Sequence, residues 1–282
     1  SEDKSMKHNE GTFTGFGDLK LFYQSWLPDE PAKAVIVLVH GLGEHSGRYP
    51  HVVNHLVPQG FAMYGLDHRG HGRSAEKLCA HVMDWAEYRG DVQAFVQFVR
   101  GQQPDLPLFL LGHSMGGLIV LNYALHHPEG LQGVIASAPA VGDVDANPLL
   151  LFVGKILSRL KPDFALESQL DVNAISRDAA VVQAYQDDPL VTGKVSARWS
   201  TEFMGAIEWT RSHAHQFQPP LLIIHGDADS LVLPEGSRLF FENVPHDDKE
   251  RIVYPGGYHE GHNDLHHEQV TADLARWLTD HL

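Results

Sequence analysis

A serine between closely spaced glycines is the first feature of the sequence that points to chemistry. The stretch GHSMGG at 112–117 places Ser114 between two apolar runs. A serine hydroxyl is a weak nucleophile, so catalysis would require a histidine base and an acid from elsewhere in the chain. The alternative is an ordinary serine in a glycine-rich turn.

The context of Ser114 favours the nucleophile. PLFLL before it predicts a strand, and MGGLIVLNYAL after it predicts a helix. A strand that turns abruptly into a helix is the setting that the G-x-S-x-G pattern requires. Small neighbours let the backbones pass closely, and the helix N-terminus offers N–H groups to an anion. We therefore interpret Ser114 as a nucleophile.

Chain order selects the base among 20 histidines. In α/β proteins whose nucleophile occupies such a strand-to-helix turn, the acid and then the histidine follow along the chain, each after a successive strand. His259, in YPGGYHEGHND, follows the last predicted strand through a glycine loop and is predicted to be the base. His113 adjoins the nucleophile but points elsewhere along the turn. His40 and His225 each end a strand, and we expect structural roles for them.

The acid should orient His259 and stabilise its imidazolium form. HGDADSLV offers Asp227 and Asp229 just after a predicted strand. We choose Asp229 as the acid and expect Asp227 to brace the loop. Asp143 and Asp145, which follow the preceding strand, are the outside candidates.

Backbone N–H groups should stabilise the oxyanion of a tetrahedral intermediate. One is expected from Met115, directly after the nucleophile. The other is expected from Leu42 in HGLGEHSGRY, the loop after the first predicted parallel strand, where Gly41 and Gly43 allow close approach. The alternative is a glycine turn that binds no ligand.

The elements around these residues predict an α/β fold. Apolar runs alternate with helical stretches, which is typical of a mostly parallel central sheet with helices on both faces. The predicted strands are 34–40, 61–67, 107–113, 131–139, 221–227 and 250–256. Helices are predicted over 84–101 and 115–127, and GTFTGFGDLKLFYQSWLP predicts an antiparallel hairpin at the sheet edge.

The alternation breaks between 141 and 218, where no strand is predicted. PLLLFVGKILSRL and SARWSTEFMGAIEWTRSHAHQF are apolar and helical in pattern. Ligands of such sheets bind beyond the carboxyl ends of the strands, so an insertion there would cover the site. We predict a core of 1–140 and 219–282 with a helical cap over 141–218.

Apolar residues of this predicted cap are candidates to line a tunnel for an acyl chain or to contact lipid. They are 149–157, Phe203, Met204 and Trp209. For each of them, packing of the cap onto the core is the alternative.

Composition excludes several classes of function. A net charge of −15 argues against nucleic-acid binding and against electrostatic docking on anionic lipid. The one cysteine, Cys79, permits no intrachain disulfide, which is compatible with a cytoplasmic protein. No run approaches the roughly 20 apolar residues of a membrane span, so we expect only peripheral membrane contact, through the cap. His262, His266 and His267 match no strong zinc pattern, and we expect no metal.

Four stretches resemble the serine α/β-hydrolases, and more narrowly the monoacylglycerol lipase and lysophospholipase-like group. They are HGLGEHSGRY (40–49), GLDHRGHGRS (65–74), GHSMGG (112–117), and HGDADSLV through YHEGHND (225–264). The resemblance implies an α/β-hydrolase fold with a mobile helical cap, no cofactor, and hydrolysis of a single-chain acyl ester such as monoacylglycerol. It carries over the triad Ser114, Asp229 and His259, with Leu42 and Met115 as oxyanion donors.

The resemblance also implies that Glu44, Arg48 and His262 recognise the glycerol hydroxyls. Glu44 and Arg48 could equally form a salt bridge that braces their loop. DHRGHGRS is expected to be structural and to tie its loop under HGLGEHSGRY (40–49), which we call the oxyanion loop.

The sequence leaves other substrates open for the same triad. A lysophospholipase, a general carboxylesterase, a thioesterase or an acyltransferase would use the same three residues. A different class is a non-catalytic hydrolase-like protein that binds a ligand in the pocket, although an intact Ser, Asp and His argue against it.

Overall fold

A computed structural model of the chain describes residues 6–143 and 148–282. Asp145, one of the outside candidates for the acid, lies outside these residues, and so do the side chains of 149–152.

Ten strands occur in the described part of the chain. They are β1 (Met6–Thr14), β2 (Lys20–Pro28), β3 (Ala34–Val39), β4 (Phe61–Leu66), β5 (Leu108–His113), β6 (Gly133–Ser137), β7 (Ala165–Glu167), β8 (Lys194–Ser196), β9 (Leu221–Gly226) and β10 (Lys249–Tyr254). Eight of them form one sheet in the order β1-β2-β4-β3-β5-β6-β9-β10. β1, β2 and β4 pair antiparallel, and the pairs from β4 to β10 are parallel. The predicted sheet and its edge hairpin are confirmed.

The described part of the chain contains eight α-helices: α1 (Pro50–Leu56), α2 (Ala86–Gln102), α3 (Met115–His126), α4 (Pro148–Leu160), α5 (Ala179–Asp187), α6 (Ala197–Ser212), α7 (Pro234–Asn243) and α8 (His267–Asp280). Among them, α2 and α3 pack on one face of this sheet, and α1 and α8 pack on the other. The sequence of β3 is apolar throughout because both faces of the strand are buried. Val35, Val37 and Val39 pack into the apolar cluster that includes α2 and α3, whereas Ile36 and Leu38 pack into the one that includes α1 and α8. Alternate side chains of a strand point to opposite faces, so both sets are buried.

The region between β6 and β9 is mainly helical, as predicted, but the expectation of no strand there is wrong. β7 and β8 form a two-stranded antiparallel ribbon, and Val195 also bridges to Ala80 of the main body. Each strand has three residues, which is too short for an alternating pattern to be recognised in sequence.

Strand β10 differs from its prediction as a strand buried on both faces. Most of its residues are only partly buried, because it lies at the sheet edge beside β9 alone. In the described residues, no helix combines the length and apolarity needed to cross a membrane.

Candidate active site

Ser114 occupies a strained turn between β5 and α3. Its backbone has φ +54° and ψ −116°, a conformation that residues with a side chain rarely adopt. The turn is held by its own hydrogen bonds, since the Ser114 N–H donates to the Ser137 carbonyl at 2.9 Å. The Ser114 carbonyl accepts from the N–H groups of Leu118 and Ala140, both at 3.0 Å. Strain maintained in this way is characteristic of functional sites.

The glycines around Ser114 are required by close backbone contacts. A Cβ on Gly112 would lie 2.2 Å from the Gly116 carbonyl oxygen. A Cβ on Gly116 would lie 2.0 Å from the Val39 carbonyl oxygen of the neighbouring strand. The sequence interpretation of these small residues is therefore confirmed.

His259 and Asp229 meet after the last two strands of the sheet. His259 Nδ1 lies 2.7 Å from Asp229 Oδ2, and both side chains are buried. The N–H groups of Leu231 and Val232 donate to the other oxygen, Oδ1, at 2.9 and 3.0 Å. Asp229 is thus fixed by its own turn and faces His259 with one oxygen.

His225 supports the same carboxylate from behind. Its Nε2 lies 3.0 Å from Asp229 Oδ2 and 2.9 Å from the Val232 carbonyl oxygen. Because a carbonyl can only accept, Nε2 is the donor and Asp229 receives its hydrogen bond. Asp227 braces the loop as predicted, since it accepts from the Gly256 N–H at 2.6 Å.

The environment polarises this histidine–carboxylate pair. Burial alone would raise the pKa of Asp229, but the positive charge on His259 and hydrogen bonds from His225, His259 and Val232 hold it well below its usual range. Burial alone would lower the pKa of His259, but Asp229, Glu260 and Glu44 raise it above its ordinary value. The imidazolium form of His259 is therefore stabilised in place.

A small cavity of about 20 Å³ is lined by four of the site residues predicted from the sequence, whereas Met115, Asp229, Arg48 and His262 do not line it. It is lined by Gly41, Leu42, Glu44, His113, Ser114, Leu170, Ile175, Tyr185, His259 and Glu260. Met115 begins α3, where the first backbone N–H groups have no acceptor within the helix. Ser114, His259 and Leu42 line this one cavity, and a nucleophile, a base and an oxyanion donor placed in that way could perform acyl transfer.

Glu44 and Arg48 form the bracing ion pair that the sequence left open, and Glu44 also lines the cavity. Arg48 Nη1 lies 3.2 Å from Glu44 Oε2, and Glu44 Oε1 accepts from the Gly41 N–H and the Tyr49 hydroxyl, both at 2.7 Å. The main partner of Arg48 is Glu260, which it contacts with two nitrogens at 2.6 and 2.9 Å. Sequence reasoning missed Glu260, although it follows His259 directly.

His262 lies against aromatic rings and does not line the cavity. Its ring stacks on Tyr49, with centroids 4.6 Å apart and planes 3° apart, and meets the edge of His113 at 4.9 Å. Burial lowers the pKa of His262 to about 4. His262 is therefore a neutral packing partner of Tyr49 in this structure.

The motif DHRGHGRS ties its loop to the oxyanion loop, as predicted. Asp67 Oδ1 accepts from the N–H and the hydroxyl of Ser46 at 2.9 and 2.6 Å, and Oδ2 accepts from the Arg73 N–H at 2.9 Å. Ser46 lies in the oxyanion-loop motif, so one buried carboxylate joins the two loops.

Three histidines beneath the oxyanion loop are fully buried: His40, His68 and His71. The His68 N–H donates to His40 Nε2 at 3.0 Å, and His40 Nδ1 lies 2.7 Å from the Gly41 carbonyl oxygen. Burial lowers the pKa of His68 to about 3 and that of His71 to about 4. These rings are therefore neutral near pH 7.

Among the apolar candidates of the predicted cap, one lines a groove and two pack against other aromatic rings. Met204 lines a groove of about 1080 Å³ between α4, α6 and α7. Phe203 stacks on Trp199 at 4.7 Å, and Trp209 stacks between His126 and His213 at 4.3 and 4.0 Å. For Phe203 and Trp209, packing thus accounts for the apolar side chain.

The family of the chain follows from comparison with known proteins. Residues 30–266 match the model of the hydrolase family described as serine aminopeptidase, S33. The chain belongs to this serine hydrolase family. One similar member is the monoacylglycerol lipase of Mycolicibacterium smegmatis, which is 39% identical over 99% of both chains.

Two solved structures are similar to this chain over nearly its whole length. The monoacylglycerol lipase of Paleococcus ferrophilus superposes with a TM-score of 0.83 and 31% identity, over 98% of this chain and 100% of that one. A soluble variant of the Saccharomyces cerevisiae monoglyceride lipase, in complex with a substrate analogue, gives a TM-score of 0.85 and 25% identity, over 100% and 96%.

Proposed function

We propose that this protein hydrolyses monoacylglycerols to a fatty acid and glycerol through an acyl-enzyme on Ser114. The observation that carries this proposal is the end-to-end match, at 39% identity, to a relative named monoacylglycerol lipase. The cavity that joins Ser114, His259 and Leu42 supports it independently.

Acylation uses the triad in the usual roles. The Ser114 hydroxyl oxygen attacks the ester carbonyl carbon while His259 takes the hydroxyl proton. The N–H groups of Leu42 and Met115 stabilise the oxyanion. When the intermediate collapses, the bond from the acyl carbon to the glycerol oxygen breaks, and His259 returns its proton to that oxygen.

Deacylation repeats these steps with water. His259 removes a proton from a water molecule, whose oxygen attacks the acyl carbon. The bond to the Ser114 oxygen breaks, the proton passes back to that oxygen, and the fatty acid leaves. Asp229 holds the tautomer of His259 and stabilises its imidazolium form throughout.

Glu44 is the proposed contact for the glycerol hydroxyls, since it lines the cavity beside Ser114. Arg48 and His262 are proposed to hold Glu44 in place and do not themselves line the cavity. Arg48 bonds to Glu44, and His262 stacks on Tyr49, whose hydroxyl donates to Glu44.

Residues 141–218 are proposed to act as a cap on a core formed by 1–140 and 219–282. Leu170 and Tyr185 of this segment line the cavity of about 20 Å³. A volume of that size holds little more than a water molecule, so an acyl ester can reach Ser114 only if the segment moves.

Helix α4 is the proposed contact with a lipid surface. Val153, Ile156 and Leu160 lie on one face of the helix and are 43, 43 and 76% exposed, and Phe164 beyond it is 44% exposed. Partition of an apolar helix face into the bilayer boundary requires no cationic patch, which fits the net charge of −15.

Removal of this apolar face is expected to weaken membrane binding. The double variant Ile156→Ser, Leu160→Ser should bind vesicles of zwitterionic lipid at least about tenfold more weakly, because about 2–3 kcal/mol of apolar transfer is lost. Turnover of a water-soluble short ester should be unchanged. Vesicle sedimentation measures the first quantity.

The matched control for this prediction is Leu265→Ser, which removes a 64% exposed leucine outside α4. Its vesicle binding should equal that of the wild type. Unchanged binding of the double variant would refute the role of α4.

The function is tested by fatty-acid release from 1-monooleoylglycerol, with four other substrates in parallel. These are lysophosphatidylcholine, a diacylglycerol, a short p-nitrophenyl ester and an alanine p-nitroanilide. The monoglyceride should have the highest kcat/KM. A preference for lysophosphatidylcholine would make the protein a lysophospholipase, and activity on the short ester alone would leave a general esterase.

A further inference from the structure

A short segment of the predicted cap, residues 175–177, is bonded to the loop that carries His259. We call it the clamp segment. The Glu260 N–H, directly after His259, donates to the Ile175 carbonyl at 2.8 Å. The Ser176 hydroxyl donates to the Asn263 carbonyl at 3.1 Å, across 87 positions of sequence. The His259 loop is therefore held from the side that faces the insertion.

Asp264 is the centre of this attachment. Its carboxylate accepts from the backbone N–H groups of Tyr258, Leu265 and Arg177, each at 2.9 Å. Arg177 Nε donates to Asp264 Oδ2, also at 2.9 Å. The Asp264 side chain is buried, so these donors, together with the Ser176 hydroxyl at 3.4 Å from Oδ1, compensate its charge. A charge-assisted set of this kind fixes both ends of the loop.

One of these hydrogen bonds to Asp264 lies directly beside His259, the proposed base. Tyr258 immediately precedes His259, and its N–H is held by Asp264. His259 must keep Nδ1 at 2.7 Å from Asp229 while its other nitrogen serves Ser114. A displacement of about 1 Å in such an arrangement can cost about 100-fold in rate.

We propose that Asp264 and Arg177 are positioning residues for His259, which lock its loop to the clamp segment. This role rests on the proposed assignment of His259 as the base. Ile175 of the clamp segment also lines the Ser114 cavity. The clamp segment therefore connects the lining of the cavity to the loop that carries the base.

The primary test is Asp264→Asn, which keeps the size of the side chain but removes its charge and one acceptor. We expect kcat for a short ester to fall about 10- to 100-fold, with KM changed by less than about threefold. Arg177→Met should produce a similar but smaller loss, and Arg177→Lys should restore part of it. In the double variant the losses should not add, because both residues act through the same contact.

The pH profile separates alignment of the base from general damage. Five titratable groups surround the His259 ring: Asp229, Glu260, Glu44, the ring of His113, whose centroid is 4.7 Å away, and His262, whose pKa the charge of His259 helps to lower. All are retained in the variants. A loosened loop weakens the contact with Asp229, so the acid limb of kcat/KM should move to lower pH in Asp264→Asn.

The matched control is the pair Arg276 and Glu250, an ion pair between α8 and β10 with nitrogen–oxygen distances of 2.5 and 3.2 Å. Glu250→Gln and Arg276→Met should leave kcat and the pH profile unchanged. A folded Asp264→Asn with wild-type kcat and acid limb would overturn the proposal. If that variant does not fold, a wild-type kcat in Arg177→Met would overturn it equally.

Failure of this proposal is distinct from failure of the proposed function. A wild type that is active and loses its activity in Ser114→Ala upholds the triad, whatever the Asp264 variants do. A wild type with no esterase activity rejects the function itself.

Discussion

Ser114→Ala is expected to lower kcat/KM for every ester at least about 10⁴-fold, because the covalent step is lost while binding and the oxyanion donors remain. Alanine keeps the Cβ, so the strained backbone with φ +54° is neither relieved nor worsened. The melting temperature should therefore stay near that of the wild type. Fatty-acid release and thermal unfolding measure the two quantities.

The control for this substitution is Ser212→Ala, which removes a hydroxyl bonded only locally, to the Trp209 carbonyl at 2.8 Å and to His213 Nδ1 at 3.0 Å. It should retain full activity. A fluorophosphonate probe should label the wild type and Ser212→Ala but not Ser114→Ala. Residual turnover above about 1% in Ser114→Ala would reject Ser114 as the nucleophile.

Acidification is expected to destabilise the fold strongly through His68 and His71. Their pKa values are lowered by burial to about 3 and about 4, against about 6.5 in an unfolded chain. Between these values the unfolded state binds more protons, so stability is full above about pH 6.5 and falls as the pH decreases. At pH 5 each histidine costs about 2 kcal/mol, or about 4 kcal/mol together.

His259 acts in the opposite direction, because Asp229 and its neighbours raise its pKa despite burial. Its contribution is present below the unfolded pKa and is lost as the pH rises through the folded pKa. One histidine does not cancel two, so the net trend stays a loss of stability with acid.

Urea unfolding at pH 8 and at pH 5 measures this trend. The variant His71→Asn should show a smaller difference between the two pH values, even if it is less stable at both. The control His215→Asn replaces an exposed ring and should keep the wild-type difference. Equal stability of the wild type at both pH values would contradict the prediction.

Local patterns in the sequence were sufficient for the sheet and for the turn at Ser114. Continuous apolar runs predicted β3, β5 and β9, and the glycines around Ser114 marked contacts that only glycine permits. Chain order then predicted Asp229 as the acid and His259 as the base. In the structure His259 Nδ1 lies 2.7 Å from Asp229 Oδ2.

Contacts between distant segments could not be predicted in the same way. Glu260 pairs with Arg48 across 212 positions, and Arg177 bonds to Asp264 across 87. No periodicity marks such a pair, because each partner is an ordinary charged residue in a loop. The three-residue strands β7 and β8 were missed for a related reason, since their pairing partners, not their composition, make them strands.

The register between β3 and β5 determines how far Ser114 lies from the oxyanion loop. Val39 of β3 pairs with Gly112 of β5, so Gly41 and Ser114 both stand two residues beyond the same rung. The distance from Ser114 to the oxyanion loop therefore depends on the spacing between adjacent strands, which is about 4.8 Å. Substitutions in the proposed cap are therefore expected to alter which esters fit without displacing Ser114 from the oxyanion loop.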